Sequence, residues 1–248
     1  MDSLIAHTPT AMLLRKLQSS GFLTHEEQQA IGRLPMRIHR LDARQDIARE
    51  GDRTSHCCLI LDGWACRYKL LNEGKRQILS FHVAGDVPDV QSLHIPTMDY
   101  SLATLTAATV AFVPHESLRD LTARHPGITA LFWRDTLIEA AILREWMTNI
   151  GRRLALERVA HLFCELHLKL QAVGLATRVR CPLPITQTDL ADALGLTPVH
   201  VNRVLQTMRA QALIGLRSRI LVMESWDELL RVAAFDPTYM HLPTRAAA

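Results

Sequence analysis

No apolar run in the 248-residue sequence reaches the roughly 20 residues that a bilayer-spanning helix requires, which argues against a membrane protein. The opening residues, MDSLIAHTPTAM, lack a basic start followed by an apolar stretch, so a secretory leader is not expected. Cysteine is scarce. The five present are odd in number and not spaced as a disulfide framework, which points to a reducing cytoplasm. There is no Ser-His-Asp set, no P-loop and no H-E-x-x-H spacing, so no enzyme is expected. Net charge is only +3, which excludes a general polyanion-binding tail. Internal repeats are missing, and the sole low-complexity tract is the three terminal alanines.

The composition, 48% hydrophobic and 21% charged, is that of a soluble protein with room for two modest domains or one large one. Charge is unevenly placed. Between Ala176 and Met223 stand six arginines (178, 180, 203, 209, 217 and 219) against two aspartates, Asp189 and Asp192. A local basic excess of this kind suits contact with phosphates.

Residues 10–34 read as helices separated by a turn at Ser20-Gly21, with Thr24 and Glu27 spaced as a capping box. From Met36 to Pro114 short strand-like runs alternate with Gly51, Gly63, Gly74 and Gly85, at spacings of 12, 11 and 11. Turns at that interval predict a β-sandwich or β-roll, each glycine sitting at a positive φ or a close backbone approach. From Ile128 to about Thr148 a single helix carries two stripes: Ile128, Leu131, Ile138, Ile142 and Glu145, and then Trp133, Leu137, Ala140 and Met147. Two apolar stripes need two surfaces. One is the chain's own β-domain. The other is either a second copy of the same helix or further structure within one subunit, and the dimer is the favoured reading. Asn149-Ile150-Gly151 is the expected interruption, with an amphipathic helix restarting over 152–171.

The most informative stretch is Ile185–Ile214. Thr186 and Asp189 make a helix start, and Leu190, Ala191 and Leu194 form its inner face. Gly195 ends that helix, Leu196 plugs the core, Thr197 caps a second helix and Pro198 opens it. In the second helix Val201, Val204, Leu205 and Met208 point inward. That is a helix-turn-helix, a shape that fits the DNA major groove. On its outer side Arg203 is the best base reader, since its fork matches guanine O6 and N7. Asn202 is placed for adenine or phosphate and Val199 for a thymine methyl. Thr197, His200, Gln187 and Thr188 are placed for the sugar-phosphate backbone. GLRSRILVM then reads as a wing turning near Arg217-Ser218-Arg219, with Arg217 and Arg219 near phosphates, or else as an edge hairpin with solvated arginines.

With these motifs the sequence resembles the CRP/FNR family of bacterial transcription regulators over nearly its whole length. The resemblance rests on the helix-turn-helix, on EGD (50–52), LDGW (61–64), EGKRQILSF (73–81) and AGD (84–86), and on NIGRRLALERVAHLFCEL (149–166). It implies an α+β chain in three parts: a sensor-like β-roll with N-terminal helices over 1–127, a dimerisation helix and hinge over 128–150, and a winged helix-turn-helix over 151–248. It also implies a homodimer on a palindromic double-stranded DNA site, touching RNA polymerase. The alternative is a small-molecule-binding β-roll protein whose DNA binding is weak or lost.

The departures from the family concern the input. Its cyclic-AMP binders carry a Gly-Glu pair and a phosphate-binding arginine, whereas residues 85–101 here hold no Arg or Lys and include Asp86, Asp89 and Asp99. The oxygen-sensing branch uses an N-terminal cysteine cluster, and here no Cys precedes Cys57. Cys57 and Cys58 are neighbours on a predicted strand and so point to opposite faces. His56, His82 and His94 are scattered, and Cys164 and Cys181 read as buried small residues. No metal and no cofactor is therefore expected, and the signal is left open. In the recognition helix Val199 stands where well-known members place an acidic residue, while Arg203 matches the family's shared arginine.

Overall fold

The computed structural model describes residues 9–242; most of the N-terminal stretch weighed above as a leader, and the terminal alanines, lie outside them. The chain divides into two compact units. One comprises the chain up to Leu70 together with Leu79–Leu137, and the other comprises Leu71–Ile78 together with the chain from Ile138 onward.

In the first unit, α1 (Ala11–Ser20) and α2 (His25–Gly32) precede the strands. The α2 start is the expected capping box, with Thr24 and Glu27 exchanging hydrogen bonds. The strands are β1 (Arg37–Leu41), β2 (Asp46–Ala48), β3 (His56–Asp62), β4 (Ala65–Leu70), β5 (Arg76–His82, whose first three residues are counted with the second unit), β6 (Ser101–Thr104) and β7 (Ala108–Pro114). They form two antiparallel sheets in the orders β1-β7-β3 and β2-β6-β4-β5, which is the predicted roll. Cys58, Ile60, Ala65, Leu102, Ala108 and Val110 supply the apolar cluster shared by the two sheets. Cys57, one residue along β3, joins a different cluster with Leu13, Leu17, Ile31, Leu118 and Ile128, so the two thiols do face opposite ways.

All four turn glycines have positive φ, as their spacing predicted. Gly63 has the strictest requirement. At φ 88° a Cβ there would stand 2.6 Å from the Ala107 carbonyl oxygen.

After α3 (His115–Arg124), α4 runs unbroken from Pro126 to Arg152. Its Ile128 and Leu131 are buried, whereas Trp133, Leu137 and Met147 are exposed, which separates the two predicted stripes. The expected interruption at Asn149-Ile150-Gly151 is corrected: all three residues are helical. Nothing stands within 4 Å of where a Gly151 Cβ would be, so this glycine marks no close approach. Its intrinsic penalty of about 1 kcal/mol is too small to break a helix held on both sides by tertiary contacts. The break comes at Arg153-Leu154, where the Leu154 N–H donates to the Glu157 carboxylate at 2.8 Å and opens α5 (Ala155–Ala172).

The second unit continues with β8 (Arg180–Pro182), α6 (Gln187–Leu194), α7 (Pro198–Ala210), β9 (Ile214–Arg217), β10 (Ile220–Met223) and α8 (Trp226–Ala233). β8, β10 and β9 form a three-stranded antiparallel sheet, so the predicted two-strand wing gains β8 as its third strand. A 3-10 turn, Pro237–Met240, follows α8.

Candidate nucleic-acid interface

Local chemistry sets both helices of the reading unit. The Thr186 hydroxyl accepts from the Asp189 N–H, and the Asp189 carboxylate accepts from the Thr186 N–H at 2.8 Å. Gly195 closes α6 in the left-handed conformation at φ 63°, and its N–H donates to the Ala191 carbonyl. Thr197 then caps α7 by accepting from the His200 N–H at 3.2 Å, with Pro198 at the first position, where a missing N–H costs nothing. Leu190, Ala191, Leu194, Val201, Val204, Leu205 and Met208 are all buried, which reproduces the predicted inner faces. Leu196 is half-buried.

That packing fixes what points outward. Thr197, Val199, His200 and Arg203 are exposed on α7, as are Gln187 and Thr188 at the start of α6. Thr197, Val199, His200, Arg203, Val204 and Thr207 line a cleft of about 410 Å³, closed on one side by Leu156 of α5. The N-terminus of α7, with its helix dipole and the free hydrogen of the Thr197 hydroxyl, favours an anion there.

Asn202 is placed differently from its neighbours. It is half-buried, donates to the Gln187 side-chain oxygen at 3.1 Å and accepts from Gln206 at 3.0 Å. This amide chain ties the first turn of α6 to the outer side of α7. Sequence reasoning missed it, because the 15-residue separation of Asn202 and Gln187 carries no local signal.

On the wing, Arg217 ends β9 and Arg219 is the second residue of the two-residue turn, and both are exposed. Ser218 and Arg219 have φ of 50° and 63°. Positive φ at both central positions matches the twist of a hairpin, and for residues other than glycine it costs about 1 kcal/mol each.

The segment that would hold a cyclic phosphate is tied up by its own side chains. Asp86 pairs with Lys16 at 2.7 Å and accepts from the Val83 N–H. Asp89 is buried and accepts from the Cys58 N–H at 2.8 Å, and burial pushes its carboxyl up to about 7 against that hydrogen bond and the nearby Arg67. Arg67, brought in from β4, donates to the Pro88 carbonyl at 2.6 Å and lies over the Tyr100 ring. Tyr100 donates to the same carbonyl at 2.7 Å. With no Arg or Lys in 85–101 and two carboxylates turned inward, these residues do not fit a cyclic nucleotide. All five cysteines are buried, and burial pushes the thiols of Cys164 and Cys181 up to about 12, the opposite of an activated thiolate.

Residues 157–232 match the Crp-like helix-turn-helix domain family, and residues 38–125 match the cyclic nucleotide-binding domain family. The fumarate and nitrate reduction regulatory protein of Escherichia coli is 24% identical over 245 residues, covering 91% of this chain and 96% of that protein. Among solved structures, FixK2 from Bradyrhizobium japonicum superposes with a TM-score of 0.73 at 26% identity, over 82% of this chain and 100% of that one. A CooA variant from Carboxydothermus hydrogenoformans shares the fold, with a TM-score of 0.66 at 16% identity, over 89% of this chain and 95% of that one. No helix among the described residues is long and apolar enough to cross a membrane. The chain belongs to the CRP/FNR family and is a transcription regulator, not an enzyme, with a sensory cyclic-nucleotide-binding-like domain ahead of a helix-turn-helix DNA-binding domain.

Proposed function

We propose that this regulator acts in the cytoplasm as a homodimer, reads a palindromic site and contacts RNA polymerase once bound. In this division of labour, residues 1–127 receive a signal, 128–150 pair the subunits and 151–248 read DNA. The observation that carries the reading is the outer side of α7, where Arg203 stands exposed on a helix whose inner residues are all buried. Arg203 reads a guanine in the major groove, and Val199 meets a thymine methyl. Thr197, His200, Gln187 and Thr188 hold the sugar-phosphate backbone, and Arg217 and Arg219 reach phosphates from the wing. Asn202 lies within reach of a base or a phosphate, and its bonds to Gln187 and Gln206 favour a role in aligning α6 with α7.

Pairing of subunits is supported by Trp133, Leu137, Ala140, Arg144, Met147 and Gly151 on α4. They recur at alternating intervals of four and three, the spacing of a coiled-coil seam. Trp133, Leu137 and Met147 on that line are 67%, 52% and 69% exposed, which is costly unless a partner covers them. A twofold dimer carries two recognition helices, so it reads an inverted repeat.

Selection of bound duplexes from random-sequence DNA tests this. An enriched inverted repeat with a guanine at equivalent positions of both halves is the expected result. Enrichment of a single half-site, or of no sequence, contradicts it.

A further inference from the structure

The only two acidic residues between Ala176 and Met223 are Asp189 and Asp192, and both lie on α6. The same side chain bonds both. Arg76 donates through one terminal nitrogen to Asp189 Oδ1 at 2.7 Å and through Nε to Asp192 Oδ2 at 2.8 Å. It comes from residues 71–78, a hairpin tip that belongs to the second unit. The neighbouring Gln77 donates to the Ala193 carbonyl at 3.2 Å, so the tip grips α6 at three points. Arg76 is largely buried, at 20% exposure, as is proper for a clasp rather than a solvated charge.

We infer that Arg76 is a positioning residue for DNA binding, which compensates the two carboxylates of α6 without itself touching DNA. The reasoning rests on the proposed placement of Gln187 and Thr188 against the sugar-phosphate backbone. Asp192 lies five residues beyond Gln187, about 7–8 Å along the helix axis. That is within the Debye length of about 8–10 Å at physiological salt, so an uncompensated Asp192 repels the same phosphates that the start of α6 approaches. Asp189 is held in place by its capping bonds to Thr186 and cannot turn away. One cation bonded to both carboxylates leaves the surrounding arginine excess to act on DNA.

The test uses the full-length protein and two duplexes: the sequence that the wild type selects, and mixed-sequence DNA. Arg76→Ala is expected to weaken binding to both by about 3- to 30-fold, as expected for one unit charge at this distance. Arg76→Lys keeps most of the affinity. Asp192→Asn alone binds at least as tightly as wild type. Arg76→Ala combined with Asp192→Asn restores the wild-type net charge at this position and is expected to recover most of the loss, even where Arg76→Ala alone lowers stability. A double variant as weak as Arg76→Ala overturns the inference, because Arg76 is then a tether or a direct phosphate contact. Unchanged binding by Arg76→Ala overturns it as well. A wild type that binds neither duplex overturns the DNA reading itself, and the inference with it.

Discussion

The indole N–H of Trp146 donates to Oε1 of Glu165 at 2.8 Å, and the Tyr239 hydroxyl donates to the other oxygen of that carboxyl at 2.7 Å. A single buried side chain on α5 thus joins the end of α4 to the 3-10 turn Pro237–Met240 that follows α8. Around it, Arg153 pairs with Glu145 at 2.6 Å, and His161 stacks on Tyr239 and meets Phe235 edge-on. The bend between α4 and α5 is therefore braced by the turn that follows α8.

Burial pushes the Glu165 carboxyl from 4.5 up to about 7, with the Trp146 and Tyr239 hydrogen bonds opposing. Below about pH 4.5 the folded and unfolded states both hold the proton. Between about 4.5 and 7 only the folded state does, so this group's contribution falls as pH rises, by at most about 3 kcal/mol. His161 acts oppositely. Burial and Arg153 lower its pKa to about 4, so its contribution grows as pH rises towards 6.5. Glu165→Gln removes the falling part. Urea unfolding at pH 5 and pH 7 is expected to show stability at pH 7 gaining about 2 kcal/mol relative to pH 5, compared with wild type. An identical pH dependence in the two proteins would show that Glu165 titrates normally.

Leu137→Glu or Met147→Glu is expected to give a monomer in sedimentation experiments while leaving the fold intact. Each buried apolar side chain contributes about 1.5–3 kcal/mol, and a twofold interface counts every residue twice. DNA affinity should drop at least tenfold, since half-sites then bind singly. A variant that remains dimeric places the interface elsewhere.

Gly195→Ala and Gly63→Ala should differ sharply. At Gly195 a Cβ would meet Ile150 Cγ2 at 3.6 Å, an ordinary contact, so only the left-handed backbone is penalised, by about 1 kcal/mol. At Gly63 the same φ penalty is joined by a 2.6 Å approach to the Ala107 backbone oxygen, which cannot swing aside. Calorimetry is expected to show a small shift for the first and a loss of at least about 3 kcal/mol for the second. Equal shifts would refute the steric argument.

Asn202→Ala should weaken binding to every sequence by a similar factor of about three to ten, because it removes the amide link between Gln187 and Gln206. A loss confined to sites with an adenine at one position would make Asn202 a base reader instead.

The legible parts of the sequence were those governed by residues within four positions of each other. Thr186 with Asp189, Gly195, and Thr197 with Pro198 each set a helix end through local bonds, so the reading unit could be drawn residue by residue. The glycine-marked turns were legible for the same reason. Gly151 misled because a glycine signals a break only when tertiary contacts do not hold the helix through it, and Trp146 and Asn149 are buried there. A short strand over residues 178–183 could be read, but its pairing into the wing, the Lys16–Asp86 pair and the bond from Arg76 to Asp192 were not legible, since they join residues tens of positions apart. At the input side the lack of Arg and Lys in 85–101 was plain, but not that Arg67 of β4 would tie down Pro88.

The central claim is that Arg203 reads sequence while its neighbours hold the backbone. Its most direct measurement is the affinity of Arg203→Ala for the selected duplex and for mixed-sequence DNA at one salt concentration. The selected site is expected to lose about 1–3 kcal/mol, and the preference for guanine at the facing position should vanish, while mixed-sequence binding falls far less. A uniform loss on both duplexes with the guanine preference intact would contradict it, and would make Arg203 a phosphate contact.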